Sequence, residues 1–206
     1  MRRNISRGAM RRLFFAAFED FCADESANIR NGTSERNLCQ RLALPLERHA
    51  FAADLRQYRA DCEYNRSNDG RVKTIVGQDM EVVTITCDLI LHSRGEDMEQ
   101  DNLIAIEMKR ANHREAEKDK DRVRLMALTR APGDGVWSAD GEVDPRHVCD
   151  YVIGFYAELD SRRHEFHIEE YFRGSLRETE ASRVFRRLRT VRRSIRYEQD
   201  GKQIFA

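Results

Sequence analysis

Three residues near the middle of the chain have the types and spacing to hydrolyse a phosphodiester: Asp88, Glu107 and Lys109. At neutral pH that reaction needs a divalent cation to offset charge at phosphorus and to activate water. Magnesium takes hard oxygen ligands, typically one or two carboxylates with waters completing the shell. Asp88 and Glu107 offer such a pair. Glu107 and Lys109 stand two apart, and in a strand that period puts both side chains on one face. A lysine there can orient the attacking water and stabilise charge growing on the phosphate.

The flanking residues predict the elements that must hold this trio. Residues 81–92 alternate, with Val83, Ile85, Cys87, Leu89 and Leu91 on one face and Thr84, Thr86, Asp88 and His92 on the other. A polar turn over 94–101 leads to a second strand, Leu103 to Lys109, in which Ile104, Ile106 and Met108 point into the core. The short connection makes the two strands neighbours and brings Asp88 towards Glu107. An ordinary surface ion pair on an edge strand is the competing reading. The apolar runs ITCDLIL and LIAIEMK favour central strands, where a charged cluster is costly unless it binds something.

Elsewhere, Phe14, Ala17, Phe18 and Phe21 predict an amphipathic helix over about 9–29, stopped at Asn31-Gly32. Thr33 or Ser34 caps a second helix carrying Leu38, Leu42 and Leu46, which Pro45 should kink or restart. Residues 62–66 and 72–76 read as short strands around the turn-rich Ser67-Asn68-Asp69-Gly70. Residues 114–130 have helical ion-pair spacing, at Glu117/Lys120, Lys118/Asp121 and Asp119/Arg122. A long loop over 131–146 precedes a strand from Val148 to Leu159, then a shorter strand or helix start from His164 to Phe172. A last helix spans about Leu176 to Tyr197.

With 206 residues, 40% hydrophobic and 35% charged, the chain reads as one α/β domain over 1–206. Lysine plus arginine equals aspartate plus glutamate at 36 each, so no global basic field draws in nucleic acid and any attraction must come from uneven placement. The five cysteines, Cys22, Cys39, Cys62, Cys87 and Cys149, form no CxxC pair and read as reduced, partly buried thiols. The apolar run near the start ends in Glu19-Asp20, too short for an export signal. No stretch approaches the ~20 apolar residues of a membrane span. A cytoplasmic protein is the expectation.

The segments SERNLCQRLALPLE, DCEYNR, CDLILHSR and NLIAIEMKRA, with the charged helix after them, resemble the PD-(D/E)XK, or restriction-endonuclease-like, nuclease superfamily and its uncharacterised bacterial members. The resemblance covers roughly residues 33–130. It implies a central mixed β-sheet flanked by helices and a magnesium-dependent nuclease, with manganese able to substitute. It further implies that Asp88, Glu107 and the carbonyl of Met108 coordinate the metal, and that Lys109 acts on water and phosphate. Glu35 matches the superfamily's helical acid, or else is a carboxylate stabilising a helix N-terminus. Cys87 stands where the motif's name has proline, a residue that supplies no ligand. DNA is the expected substrate, in restriction or defence against invading DNA. The alternatives are a ribonuclease on the same scaffold and a catalytically silent module that binds nucleic acid or a partner protein. A homodimer is compatible with each.

Further polar features carry paired readings. Cys62-Glu63-Tyr64-Asn65-Arg66 is a site-adjacent strand or a solvated edge. Lys118, Lys120, Arg122 and Arg124 read as a solvated helix face, with a minority reading that puts one lysine on phosphate. The last helix has no acid between Ala181 and Tyr197, and its Arg186, Arg187, Arg189 and Arg193 suit phosphate contact, or else an acidic partner or plain solvation. His164 and His167 lack a third ligand at metal spacing. His92 shares the face of Asp88. Trp137 is either a pinning hydrophobe or a base-stacking contact.

Overall fold

The computed structural model describes residues 5–64, 74–76, 82–84, 86–97, 99–131, 150–177 and 183–184. The first helix, α1 (Arg7–Asp24), is capped by Ser6, whose Oγ accepts from the Ala9 N–H at 3.3 Å. It buries the Phe14, Ala17, Phe18 and Phe21 stripe. The helix expected over 9–29 is in fact two, because Glu25 leaves helical geometry (φ −102°, ψ 12°), its carboxylate pairing with Arg41 at 2.5 Å, and α2 (Ser26–Arg30) follows. Gly32 then takes a φ of 78°, the left-handed stop expected at Asn31-Gly32. Ser34 caps α3 (Glu35–Ala52), its Oγ accepting from the Asn37 N–H at 3.3 Å. Pro45 lies inside α3 without restarting it, and Leu38, Leu42 and Leu46 are buried as their spacing predicts.

The strands are β1 (Arg59–Cys62), β2 (Thr74–Val76), β3 (Val82–Thr84), β4 (Leu89–His92) and β5 (Asn102–Arg110). After α4 (Glu115–Leu128) come β6 (Ile153–Asp160), β7 (Glu165–Phe172), β8 (Ser175–Leu176) and β9 (Arg183–Val184). One seven-stranded sheet runs β1-β4-β5-β6-β7-β8, with β9 also on β7, and β2-β3 is a separate two-stranded sheet. Within the large sheet β5 and β6 are parallel, joined across α4, and the other pairs are antiparallel. The fold is therefore α/β, a mixed sheet flanked by helices.

Both faces of the sheet are covered, so central strands are apolar on both sides. On one face, α1 and α3 pack with Leu89, Leu91, Ile104, Ile106, Met108 and Phe155, where the Phe14 and Phe155 rings stack 3.7 Å apart. On the other, Leu125 and Leu128 of α4 pack with Cys87, Ile90, Ala105, Tyr156 and Tyr171. Glu170 of β7 is buried and latched to α1 by the guanidinium of Arg7 and by Arg11 Nε at 2.7 Å.

Several expectations need correction. The single strand over 81–92 divides into β3 and β4, with a bend at Asp88. Extending the β4–β5 register would set Cys87 against Met108, but the Met108 N–H donates to Asp88 Oδ2 at 2.9 Å instead. A side chain thus takes the hydrogen bond that a continuing backbone would supply. The strand placed at 62–66 lies earlier, as β1, and ends where Glu63 turns left-handed at φ 51°. His164 to Phe172 resolves as β7, a full strand. The helix expected from Leu176 is contradicted at its start, because Leu176, Arg183 and Val184 are in strands on β7. The rest of that segment, with Arg186, Arg187, Arg189 and Arg193, lies outside the described residues, as do most of the 131–146 loop, Trp137 and Cys149.

Candidate active site

Alternation along β5 sends Ile104, Ile106 and Met108 into the α1/α3 core, so Glu107 and Lys109 face α4. Asp88, at the bend before β4, is fixed by its bond to the Met108 N–H. Its charge is among those that act on the buried Glu107 carboxyl group. The three expected residues thus share one electrostatic neighbourhood around β5. Glu35, in the first turn of α3, reaches the same end of β5. Its Oε1 accepts from the Arg110 N–H at 2.8 Å and lies 3.2 Å from His113 Nε2, while Oε2 is 4.0 Å from Lys109 Nζ.

Two residues that sequence reasoning left on a solvated face complete the cluster. Arg124 Nη1 donates to Glu107 Oε1 at 2.7 Å and also contacts Asp121 Oδ1 at 3.1 Å. Asp121 Oδ2 lies 3.1 Å from Lys109 Nζ. The helix α4 buries Lys118, Asp121, Leu125 and Leu128, an i, i+3, i+7, i+10 stripe whose first two members are charged. Those two ions on an apolar stripe were the available signal. Lys118 itself pairs with Glu115 and Glu158, both at 3.1 Å, and Arg122 holds Glu169 at 3.1 Å, so neither is merely solvated. Lys120 is exposed as expected.

The electrostatics of the cluster follow from burial. Glu107 has no exposed surface, and desolvation together with the Asp88 charge pushes its pKa well above the ordinary carboxylate range, against the opposing pull of Arg124. Desolvation also raises Asp88, with the Met108 N–H and Lys109 working the other way. Desolvation opposes the Lys109 ammonium, yet Asp121, Asp88 and Glu35 outweigh it and raise its pKa. Glu107 Oε2 is buried with no hydrogen-bond donor. Two carboxyl groups can meet in such a place only around a proton or a cation.

Other candidates sit apart from this centre. The Glu63 N–H donates to the Asp88 carbonyl at 3.3 Å, but its carboxylate turns outward to Arg36 at 2.9 Å. His92 is buried against Asp61, with Nε2 to Oδ2 at 2.9 Å, beside the Tyr64 ring. Cys87 is buried, its thiol donating to the Ile106 carbonyl at 3.2 Å, and Cys22, Cys39, Cys62 and Cys87 are free. Among the described residues, no group of three or more His, Cys, Asp or Glu side chains is arranged to hold a metal, which includes His164 and His167. A pair of carboxylates is what this site offers. Among the described residues no helix is long and apolar enough to cross a membrane.

No family model, curated protein or solved structure matches this chain.

Proposed function

We propose that the chain is a divalent-cation-dependent nuclease with DNA as its substrate, suited to restriction or defence against invading DNA. The observation that carries this reading is the buried Glu107, with no donor for its Oε2, on the same strand as Lys109 and as the Met108 N–H that holds Asp88. The donor set fits magnesium, or manganese in its place, because two hard carboxylates are as many as that cation commonly takes from a protein. Asp88, Glu107 and the Met108 carbonyl would hold it. When bound, it supplies positive charge to the phosphate and lowers the pKa of water.

The remaining chemistry belongs to the chain's own groups. Lys109, with its pKa raised, stays an ammonium at neutral pH and so acts as a charge and hydrogen-bond donor rather than as a base. It orients the attacking water and steadies a phosphate oxygen. Glu35 and Asp121 flank its Nζ and fix its direction. The element order also supports a restriction-endonuclease-like core: α3, the antiparallel β1, β4 and β5, the crossover α4, then the parallel β6.

A second reading is a silent nucleic-acid- or partner-binding module on the same scaffold. The Arg124–Glu107 pair favours it, because an arginine already neutralises one of the two carboxylates. Supercoiled DNA and labelled RNA, incubated with the purified chain in magnesium and in chelator, decide between the readings. Magnesium-dependent cutting of DNA, lost in Asp88→Ala and in Lys109→Ala, is the expected outcome. Cutting that survives both substitutions would refute the site, salt-sensitive binding without cutting would select the silent module, and cutting of RNA alone would select a ribonuclease.

A further inference from the structure

The nearest cation to Glu107 is a side chain. Arg124, in the last turn and a half of α4, contacts Glu107 Oε1 through Nη1 alone, while Oε2 stays buried and without a donor. A buried carboxylate satisfied on one oxygen retains a strong pull on a second positive charge. Arg124 is the partner able to move. Its side chain is 27% exposed, whereas Glu107 is fixed on a central strand at 0%. Arg124 also has somewhere to go. Asp121, three residues back on the same helix, lies 3.1 Å from the same Nη1 and remains its partner if it releases Glu107.

We propose that Arg124 is a built-in counter-ion of Glu107 which a divalent cation must displace, so that α4 sets the cation affinity of the site. This rests on Asp88 and Glu107 being cation ligands. In the cation-free state Arg124 keeps Glu107 from standing as an uncompensated charge in the core. On displacement the guanidinium falls back wholly on Asp121. That aspartate also holds Lys109, 3.1 Å away, so a guanidinium concentrated on it weakens its grip on the ammonium. Loading the cation and freeing Lys109 to meet phosphate are then linked through one carboxylate.

Manganese binding to the full chain, measured by isothermal titration calorimetry, tests the idea without needing a substrate. Arg124 also helps to hold Glu107 ionised, so the comparison is made at the upper end of the pH range in which the chain stays folded, where protons compete least. There Arg124→Gln, freed of the competing guanidinium, should tighten manganese binding by about tenfold or more. Glu107→Gln should abolish binding. Affinity unchanged or weaker in Arg124→Gln, with binding still lost in Glu107→Gln, overturns the counter-ion role and leaves the cation site standing. Binding that persists in Glu107→Gln, or is absent from both wild type and Arg124→Gln, removes the cation site and this proposal with it. Circular dichroism reports whether Arg124→Gln folds. If it does not, Arg124→Met carries the test, since it keeps an aliphatic stem of similar length and removes the charge. Manganese affinity should then rise at least about threefold, and an unchanged value overturns the proposal.

Discussion

Replacing Asp88 by Asn should make the cation-free protein more stable while removing its response to magnesium. The asparagine keeps an oxygen to accept the Met108 N–H, now bonded to Asp88 Oδ2 at 2.9 Å, so the bend before β4 is preserved. What it removes is a charge that burial disfavours and that presses on Glu107. Burying an incompletely compensated charge costs on the order of several kcal/mol even after relaxation. The loss of attraction to Lys109 offsets part of this gain, leaving a net stabilisation of about 1–3 kcal/mol. With a urea slope of about 2 kcal/mol/M, the unfolding midpoint in chelator should rise by roughly 0.5–1.5 M. The pH dependence has a definite sign. Folded-state pKa values raised above the unfolded ones mean that the native protein binds the extra protons. The associated stability is complete below the unfolded carboxyl pKa of about 4 and fades as pH climbs through the raised values. Wild-type stability should therefore sag across that window, and Asp88→Asn should flatten the curve. Magnesium at a hundredfold excess over its dissociation constant should add about 2.7 kcal/mol to wild type and nothing comparable to the variant. A lower midpoint for Asp88→Asn in chelator, or equal magnesium stabilisation of both proteins, would show that the carboxylates do not form a strained cation site.

Phe14→Ala should remove about 3–5 kcal/mol, read as a urea midpoint shift, because the ring is wholly buried and stacked on Phe155. Asp61 accepts from His92 and Arg94, and although burial raises its pKa these bonds lower it overall. A depressed carboxylate lends stability above the unfolded pKa of about 4 and withdraws it as pH falls through the folded value. Asp61→Asn should accordingly cost about 1–3 kcal/mol at pH 7, and the difference from wild type should shrink in urea titrations repeated near pH 3.

Much of the site was legible because its key spacing is local. The alternation of LIAIEMK fixes which residues of β5 face the core, and nothing distant can change that parity without moving the whole strand. Ser34 and Asn31-Gly32 were legible for the same reason, since caps and stops act within a few residues. Asp88 was harder. Its neighbours alternate like a strand, but its side chain captures a backbone N–H twenty residues away and bends the chain there. Arg124 and Asp121 were missed as site residues because their partners depend on how α4 settles on the sheet. A charged helix reads as solvated when its surroundings are unknown, and only the buried placement of Lys118 and Asp121 reveals otherwise. The pairing of Glu25, at the break after α1, was hidden for a comparable reason, its partner Arg41 lying on another helix.

The latch between Arg7 and Glu170 joins positions 163 residues apart. At roughly 5–20 residues per second, a ribosome needs on the order of ten to thirty seconds to deliver the second after the first. For most of that interval the aromatic stripe of α1 has no Phe155 or Phe166 to cover it. Closure of this core must wait for β6 and β7, and until then the phenylalanines of α1 are the surface on which a holding chaperone would act, or on which premature clumping would start.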